Sequence, residues 1–234
     1  MAHRVVRPGL TDSPVNATAI VPVPVGYVDR HDALLVPLAG RSALAHLVAT
    51  VQPRAEVVLA AAPPLADVVV EAVDAQHLSS LRVVVADRPG ERVQCLSAGV
   101  AACGTGPVVI LDLAWAACRP GTVQRLCAEL AGGAPVVVPT TAVTDSVKRI
   151  DRRGIVTATW DRSRLRTTQF PRGFDAATLR ALLAGAEEPF DEVGAALRAG
   201  VPVTEIDGDG RAQRLELPCD ARYLTAVLEA QPDR

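Results

Sequence analysis

Short runs of β-branched residues alternate along this chain with Ala- and Leu-rich segments of helical period, and that alternation is its strongest constraint on fold. Strands joined by helical crossovers make a mostly parallel sheet covered by helices on both faces, so the class is α/β. Strands are expected at 18–23, 55–60, 81–86, 107–111, 134–139 and 201–206. Helices are expected between them at 42–50, 64–75, 92–103, 121–130, 176–184 and 190–199. Residues 18–230 read as one domain, preceded by a loose tail at 1–17.

One stretch breaks the rhythm. Residues 146–166 read as a strand, a turn at Asp151-Arg152-Arg153-Gly154 and a second strand over 155–160. An isolated hairpin cannot bury both faces, so a second copy of the chain is its natural cover. A hairpin folded back on its own domain is the other reading.

Charge and composition exclude several classes. With 24 basic and 26 acidic residues, a net charge of −2 and no long basic run, the chain lacks the positive footprint that nucleic acid requires. Apolar runs are broken by Pro, Gly or charge before the roughly 20 residues that span a bilayer, and no apolar segment follows Arg4 and Arg7 as a secretory leader requires. A cytoplasmic protein without a membrane partner is expected. The five cysteines form no C-x-x-C pair, which points to reduced thiols packed as small hydrophobes. Aromatic residues make up only 3%, so Ala and Val must fill the core. Lys148 is the single lysine, and any step needing an ammonium group has that one candidate.

Several motifs fall in a telling order. They are Pro37-Leu38-Ala39-Gly40-Arg41-Ser42, then Val143-Thr144-Asp145-Ser146-Val147-Lys148, then Asp161-Arg162-Ser163-Arg164-Leu165, then Gln169-Phe170-Pro171-Arg172-Gly173-Phe174. Together they resemble the L-x-G-[KR]-P, P-V-x-D-T-I-K, D-R-x-x-L and Q-T-P-Q-x-F motifs of the 2-C-methyl-D-erythritol 4-phosphate cytidylyltransferases of isoprenoid synthesis. The resemblance covers nearly the whole chain. It implies a Rossmann-like nucleotidyltransferase fold with a β-arm that embraces a second subunit, and magnesium-assisted transfer of CMP from CTP to a sugar-alcohol phosphate. Such transfer is mostly positioning and charge neutralisation, which needs backbone N–H groups, cations and a metal.

By that resemblance Gly26 and Arg92 stand at nucleotide-binding positions. Arg30, Asp112 and Arg214 stand at catalytic ones, with Asp112 also the candidate ligand for Mg2+. Thr144, Lys148 and Arg162 match residues that hold the sugar phosphate, and the arginine reaches across the dimer. Bland readings stand beside these: Arg30 paired with Asp29 or Asp32, Asp112 as a helix cap, Lys148 and Arg162 as a solvated hairpin face. Asp191 and Glu192 read as the start of a helix. His31 is the one histidine in the altered loop.

Departures from the pattern gather around the nucleotide. The glycine-rich phosphate loop reads Pro22-Val23-Pro24-Val25-Gly26-Tyr27, with one glycine and two prolines that carry no N–H. The loop lysine is replaced by Ala33, the arginine of D-A-A-R-P by Trp115 and a base-binding serine by Cys95. Phe170 and Arg172 replace a threonine and a glutamine, and Glu216 another threonine. The leading expectation is therefore a divergent member with little or no cytidylyltransferase activity. Two others are carried beside it: a working enzyme with a rearranged site, needing magnesium, and a module that pairs with an active relative through the arm.

Overall fold

The computed structural model describes residues 17–52 and 54–230. The expected tail at 1–17 lies outside them except for Ala17, which already belongs to the first strand. In chain order the first half is β1 (Ala17–Val23), β2 (Pro37–Leu38), β3 (Arg41–Ser42), α1 (Ala43–Val51), β4 (Ala55–Ala61), α2 (Ala66–Ala75), β5 (Leu81–Val85), α3 (Arg92–Ala102) and β6 (Val108–Ile110). The second half is α4 (Pro120–Ala131), β7 (Val136–Ala142), β8 (Val147–Ile150), β9 (Val156–Trp160), β10 (Arg166–Thr168), β11 (Arg172–Phe174), α5 (Ala176–Leu183), α6 (Glu192–Arg198), β12 (Thr204–Asp207) and α7 (Ala221–Glu229).

The main sheet has the order β10-β7-β11-β6-β1-β4-β5, with β12 also paired to β7. β1, β4, β5 and β6 run parallel, as does β12 beside β7, whereas β10 and β11 are antiparallel to their neighbours. The six expected strands and six expected helices all form, with ends shifted by a few residues. Five elements were not expected: the two-residue β2 and β3, the three-residue β10 and β11, and α7, whose amphipathic period at 221–229 was legible and was missed. Strands this short carry too few alternating positions to register, and tertiary pairing alone creates them.

The core is small-chained, as the low aromatic content requires. Ile20, Val57, Leu59, Ile110 and Leu126 are fully buried, and Phe174 is the one aromatic in that state among the described residues. Each such side chain contributes about 1.5–3 kcal/mol of burial.

Several helices start on side-chain caps. Ser42 accepts the Ala45 N–H at 3.1 Å before α1, and Asp175 accepts the Thr178 N–H at 2.9 Å before α5. Glu91 and Gln94 form a reciprocal capping box at α3.

The hairpin appears where expected, as β8 and β9 pair antiparallel in a sheet of their own. Asp151 Oδ1 accepts the Arg153 and Ile155 N–H groups and so closes its turn. The arm projects with Ile150 61% and Trp160 55% exposed, which rules out the reading in which it folds back.

Candidate functional site

β1 and β6 are parallel neighbours, and the chain leaves β1 towards β4 on one side and reaches β6 on the other. Open α/β sheets hold ligands beyond the carboxyl ends of strands at such a switch point. A cavity of about 220 Å³ opens there, walled by Pro22 and Pro24 after β1, Tyr27 and Arg30 on the following 3-10 turns, Arg92, Asp112 and the segment 214–217. Arg30, Arg92, Asp112 and Arg214, far apart in the chain, thus meet around one space. The fourth wall is held by the Leu215 N–H donating to Ala114 O at 2.8 Å. Gln169 holds it further back, donating from Nε2 to the carbonyls of Asp209 and Ala212 at 2.8 Å each.

Arg92 is the most heavily engaged of the four. Its Nε donates to Glu192 Oε1 at 2.7 Å and its Nη1 to Asp112 Oδ2 at 3.2 Å, while its Cζ stands 5.5 Å from the Phe170 ring centroid. Arg172 approaches the same ring to 4.3 Å and donates from Nη1 to Glu192 Oε2 at 2.6 Å and Asp191 Oδ1 at 2.9 Å. Glu192, only 1% exposed, therefore gives one oxygen to each guanidinium. Burial draws the Arg92 pKa down, but the charges of Glu192 and Asp112 more than offset this and hold it above the ordinary arginine value. Its Nη2 is a buried donor without an acceptor among the described residues.

The other walls are less committed. Burial, aided by the Asp112 charge, pushes the Tyr27 hydroxyl up to about 12, so it stays protonated at neutral pH and can donate. Arg30 lies 4.8 Å from the Tyr27 ring centroid and 3.6 Å from Glu216 Oε1. Its partner is thus Glu216 and neither Asp29 nor Asp32. Arg214 makes no ion pair or hydrogen bond among the described residues, which leaves a free guanidinium at the cavity wall.

Ancestry is settled by comparison with known proteins. The family described as IspD, 2-C-methyl-D-erythritol 4-phosphate cytidylyltransferase, matches residues 27–230. The chain belongs to this family. A protein of that name from Saccharopolyspora erythraea is 36% identical over 204 residues, which are 83% of this chain and 89% of that relative. One from Nocardia farcinica is 38% identical over 150 residues, and the match spans 64% of this chain and 64% of that relative. The solved 4-diphosphocytidyl-2C-methyl-D-erythritol synthase of Anaerococcus prevotii has a TM-score of 0.76 at 18% identity, covering 91% of this chain and 98% of its own. The cytidylyltransferase of Thermus thermophilus has 0.70 at 22%, with the same coverage. Identities this low show the nucleotidyltransferase fold alone.

Within the family pattern, the departures touch one another. Trp115 and Phe170 pack with ring centroids 6.2 Å apart, and Phe170 lies against Arg92 and Arg172. The segment at the family's phosphate-loop position folds as 3-10 turns over Val25–Leu34. Its Val25 N–H donates to Gly90 O at 2.8 Å and its Tyr27 N–H to Pro24 O at 3.0 Å, so these amides are spent inside the protein. Gly26 is not part of the cavity wall, and a Cβ there would meet nothing within 4 Å. Gly90 is the demanding glycine, with φ +87° and Ala62 Cβ only 2.7 Å from where its own Cβ would stand. His31 is exposed and its Nδ1 lies 3.2 Å from Val28 O.

Thr144, Lys148 and Arg162 lie on and beside the arm and do not line the cavity. Arg162 Nη1 donates to Thr144 O, and Lys148 Nζ donates to Thr159 Oγ1 at 2.8 Å. Asp112 proves to be both a cap and a wall: its Oδ1 accepts the Ala114 N–H at 2.9 Å while its Oδ2 faces Arg92. Magnesium takes one or two carboxylates together with substrate phosphates. Both cavity carboxylates, Asp112 and Glu216, already face arginines. No trio of His, Cys, Asp or Glu among the described residues could hold a metal. The residues present thus suit an anion and do not make a magnesium site by themselves.

Sequence reasoning missed Tyr27 and treated Glu192 only as a helix start. Asp191 does cap α6, accepting the Gly194 N–H at 3.0 Å. No periodicity could place Glu192, 100 residues from Arg92 in the chain, against that arginine.

Proposed function

We propose that this member of the family keeps the scaffold, binds a phosphate-bearing ligand in the cavity and transfers CMP from CTP slowly or not at all. The observation that carries this reading is the double commitment of Arg92 to Glu192 and Asp112 beside Phe170. An arginine so held must break charge-assisted bonds of about 1.5–3 kcal/mol each to serve a nucleotide. The loop adds to the deficit, because a second proline, Pro24, and two internally bonded amides leave fewer N–H groups for a triphosphate. Losing a single transition-state donor already costs about 100- to 1,000-fold in rate. A space near 220 Å³ is also below the ~300–1,000 Å³ of typical small-molecule sites.

A rearranged, active nucleotidyltransferase is the second reading, favoured by the convergence of Arg30, Arg92, Arg214 and Asp112 on one cavity. In that case CTP phosphates would meet Arg214 and Arg30, with Tyr27 as a neutral donor, and magnesium would supply charge neutralisation. Calorimetric titration of CTP with and without magnesium, beside a pyrophosphate-release assay with methylerythritol phosphate, separates the two. We expect no saturable CTP heat and no pyrophosphate. Magnesium-dependent binding with turnover would replace the first reading by the second.

The same proposal makes β8 and β9 the contact with a second copy of this chain. Their exposed Ile150 and Val156, paired across the hairpin, and Trp160, four residues on and on the same face as Val156, form an apolar surface that a partner would cover, and Arg162 and Lys148 would then approach the partner's cavity.

A further inference from the structure

Behind the turn that carries Asp112 lies a second and larger cavity, of about 710 Å³. That volume falls within the ~300–1,000 Å³ usual for small-molecule sites. Four segments wall it: the β2–β3 turn, α1, residues 116–120 and the end of α7.

The rim is built under strain. Ala39 and Gly40 have φ of +46° and +82°, the left-handed pair that a two-residue hairpin turn between β2 and β3 requires. Alanine is uncommon there and persists only where its surroundings hold it. The turn delivers Arg41 to the cavity wall. His46 on α1 donates from Nε2 to Leu38 O at 2.7 Å, which ties the helix to the same turn. Thr50 Oγ1 bonds His46 O at 2.9 Å and Cys118 O at 3.4 Å and so joins α1 to the segment beyond Asp112.

The groups on the walls point to binding and not to catalysis. Burial pushes the Cys118 thiol up to about 12, which leaves it protonated and unreactive at neutral pH. Arg41 on β3 and Glu229 on α7 both line the cavity, and neither makes an ion pair or hydrogen bond among the described residues. An uncommitted cation and an uncommitted anion on different walls match a ligand that carries both charges. We propose that this cavity binds a small zwitterion of the amino-acid class, its carboxylate on Arg41 and its ammonium on Glu229. The site is independent of the proposed function of the first cavity. It is not remote from it, since Asp112, Leu113 and Ala114 wall the first cavity and Ala116 and Cys118, a few residues on, wall the second.

The test is an NMR titration of the full chain with each of the common amino acids, reading the His46 ring and the amides of 112–118. At least one amino acid should shift these signals saturably. Arg41→Gln and Glu229→Gln, both exposed and so expected to fold, as a thermal melt would verify, should each weaken binding by about tenfold or more, the loss of one charge-assisted contact. The proposal is overturned if no amino acid moves these signals or if affinity survives in either variant. It is equally overturned if acetate alone gives the same shifts with the same affinity, which would mark a plain anion site.

Discussion

Glu192 is the residue on which most local electrostatics depends. It is 1% exposed and its two oxygens neutralise Arg92 and Arg172, themselves largely buried. Breaking a buried pair costs more than forming it contributes, because the charge left behind cannot be resolvated. Glu192→Ala should therefore destabilise the protein by about 3–5 kcal/mol, measured by urea unfolding. Glycine substitutions should divide in the same experiment. Gly90→Ala forces a Cβ onto Ala62 and Pro63 at a left-handed φ and should cost at least about 1–3 kcal/mol, whereas Gly26→Ala meets open space and should be within about 0.5 kcal/mol of neutral. The cysteines give a third contrast. Cys95 and Cys118 are buried with thiols pushed up to about 12, and Cys219 is exposed, so alkylation near neutral pH should label Cys219 first and leave the other two intact until unfolding.

At the scale of elements the arm is the clearest case of a part that cannot stand alone. β8 and β9 pair only with each other and leave apolar side chains in water, a liability that the proposed contact with a second copy would remove. Trp160→Asp should convert a dimer to monomer in analytical ultracentrifugation with little change in the melting transition, because Trp160 is over half exposed within one chain. A monomeric parent protein would refute the arm as a self-contact. The hairpin's place and turn were legible in sequence because Asp151-Arg152-Arg153-Gly154 sits between two β-branched runs, and Gly154 does take a left-handed φ of +81°. β11 was not legible. It inserts antiparallel between β6 and β7, and three residues, Arg172-Gly173-Phe174, show no period that distinguishes a strand from a loop.

For the whole molecule, protonation of buried groups couples stability to pH. Burial raises Cys95 and Cys118 from 9 and Tyr27 from 10 to about 12 each. A raised folded pKa means that the unfolded chain loses its proton first. The stabilisation is complete below about pH 9 and is lost as pH rises towards 12, at about 1.4 kcal/mol per pH unit for each group within its window. Urea midpoints should hold steady between about pH 7 and 8.5 and fall steeply from about pH 10 to 11.5. Cys95→Ala and Tyr27→Phe should each flatten that fall.

The sequence by itself determined the class, the six-strand, six-helix rhythm, the projecting arm, the family, and the candidates Arg30, Arg92, Asp112 and Arg214, since periodicity and spaced motifs are local or linear properties. Only the tertiary structure decided what those candidates touch. It brought the four to one cavity at the ends of β1 and β6, left Gly26, Thr144, Lys148 and Arg162 off its wall, and packed Trp115, Phe170 and Arg172 into a cluster that claims Arg92. Ion pairs and ring contacts between residues a hundred positions apart depend on the closed sheet, and no local pattern encodes them.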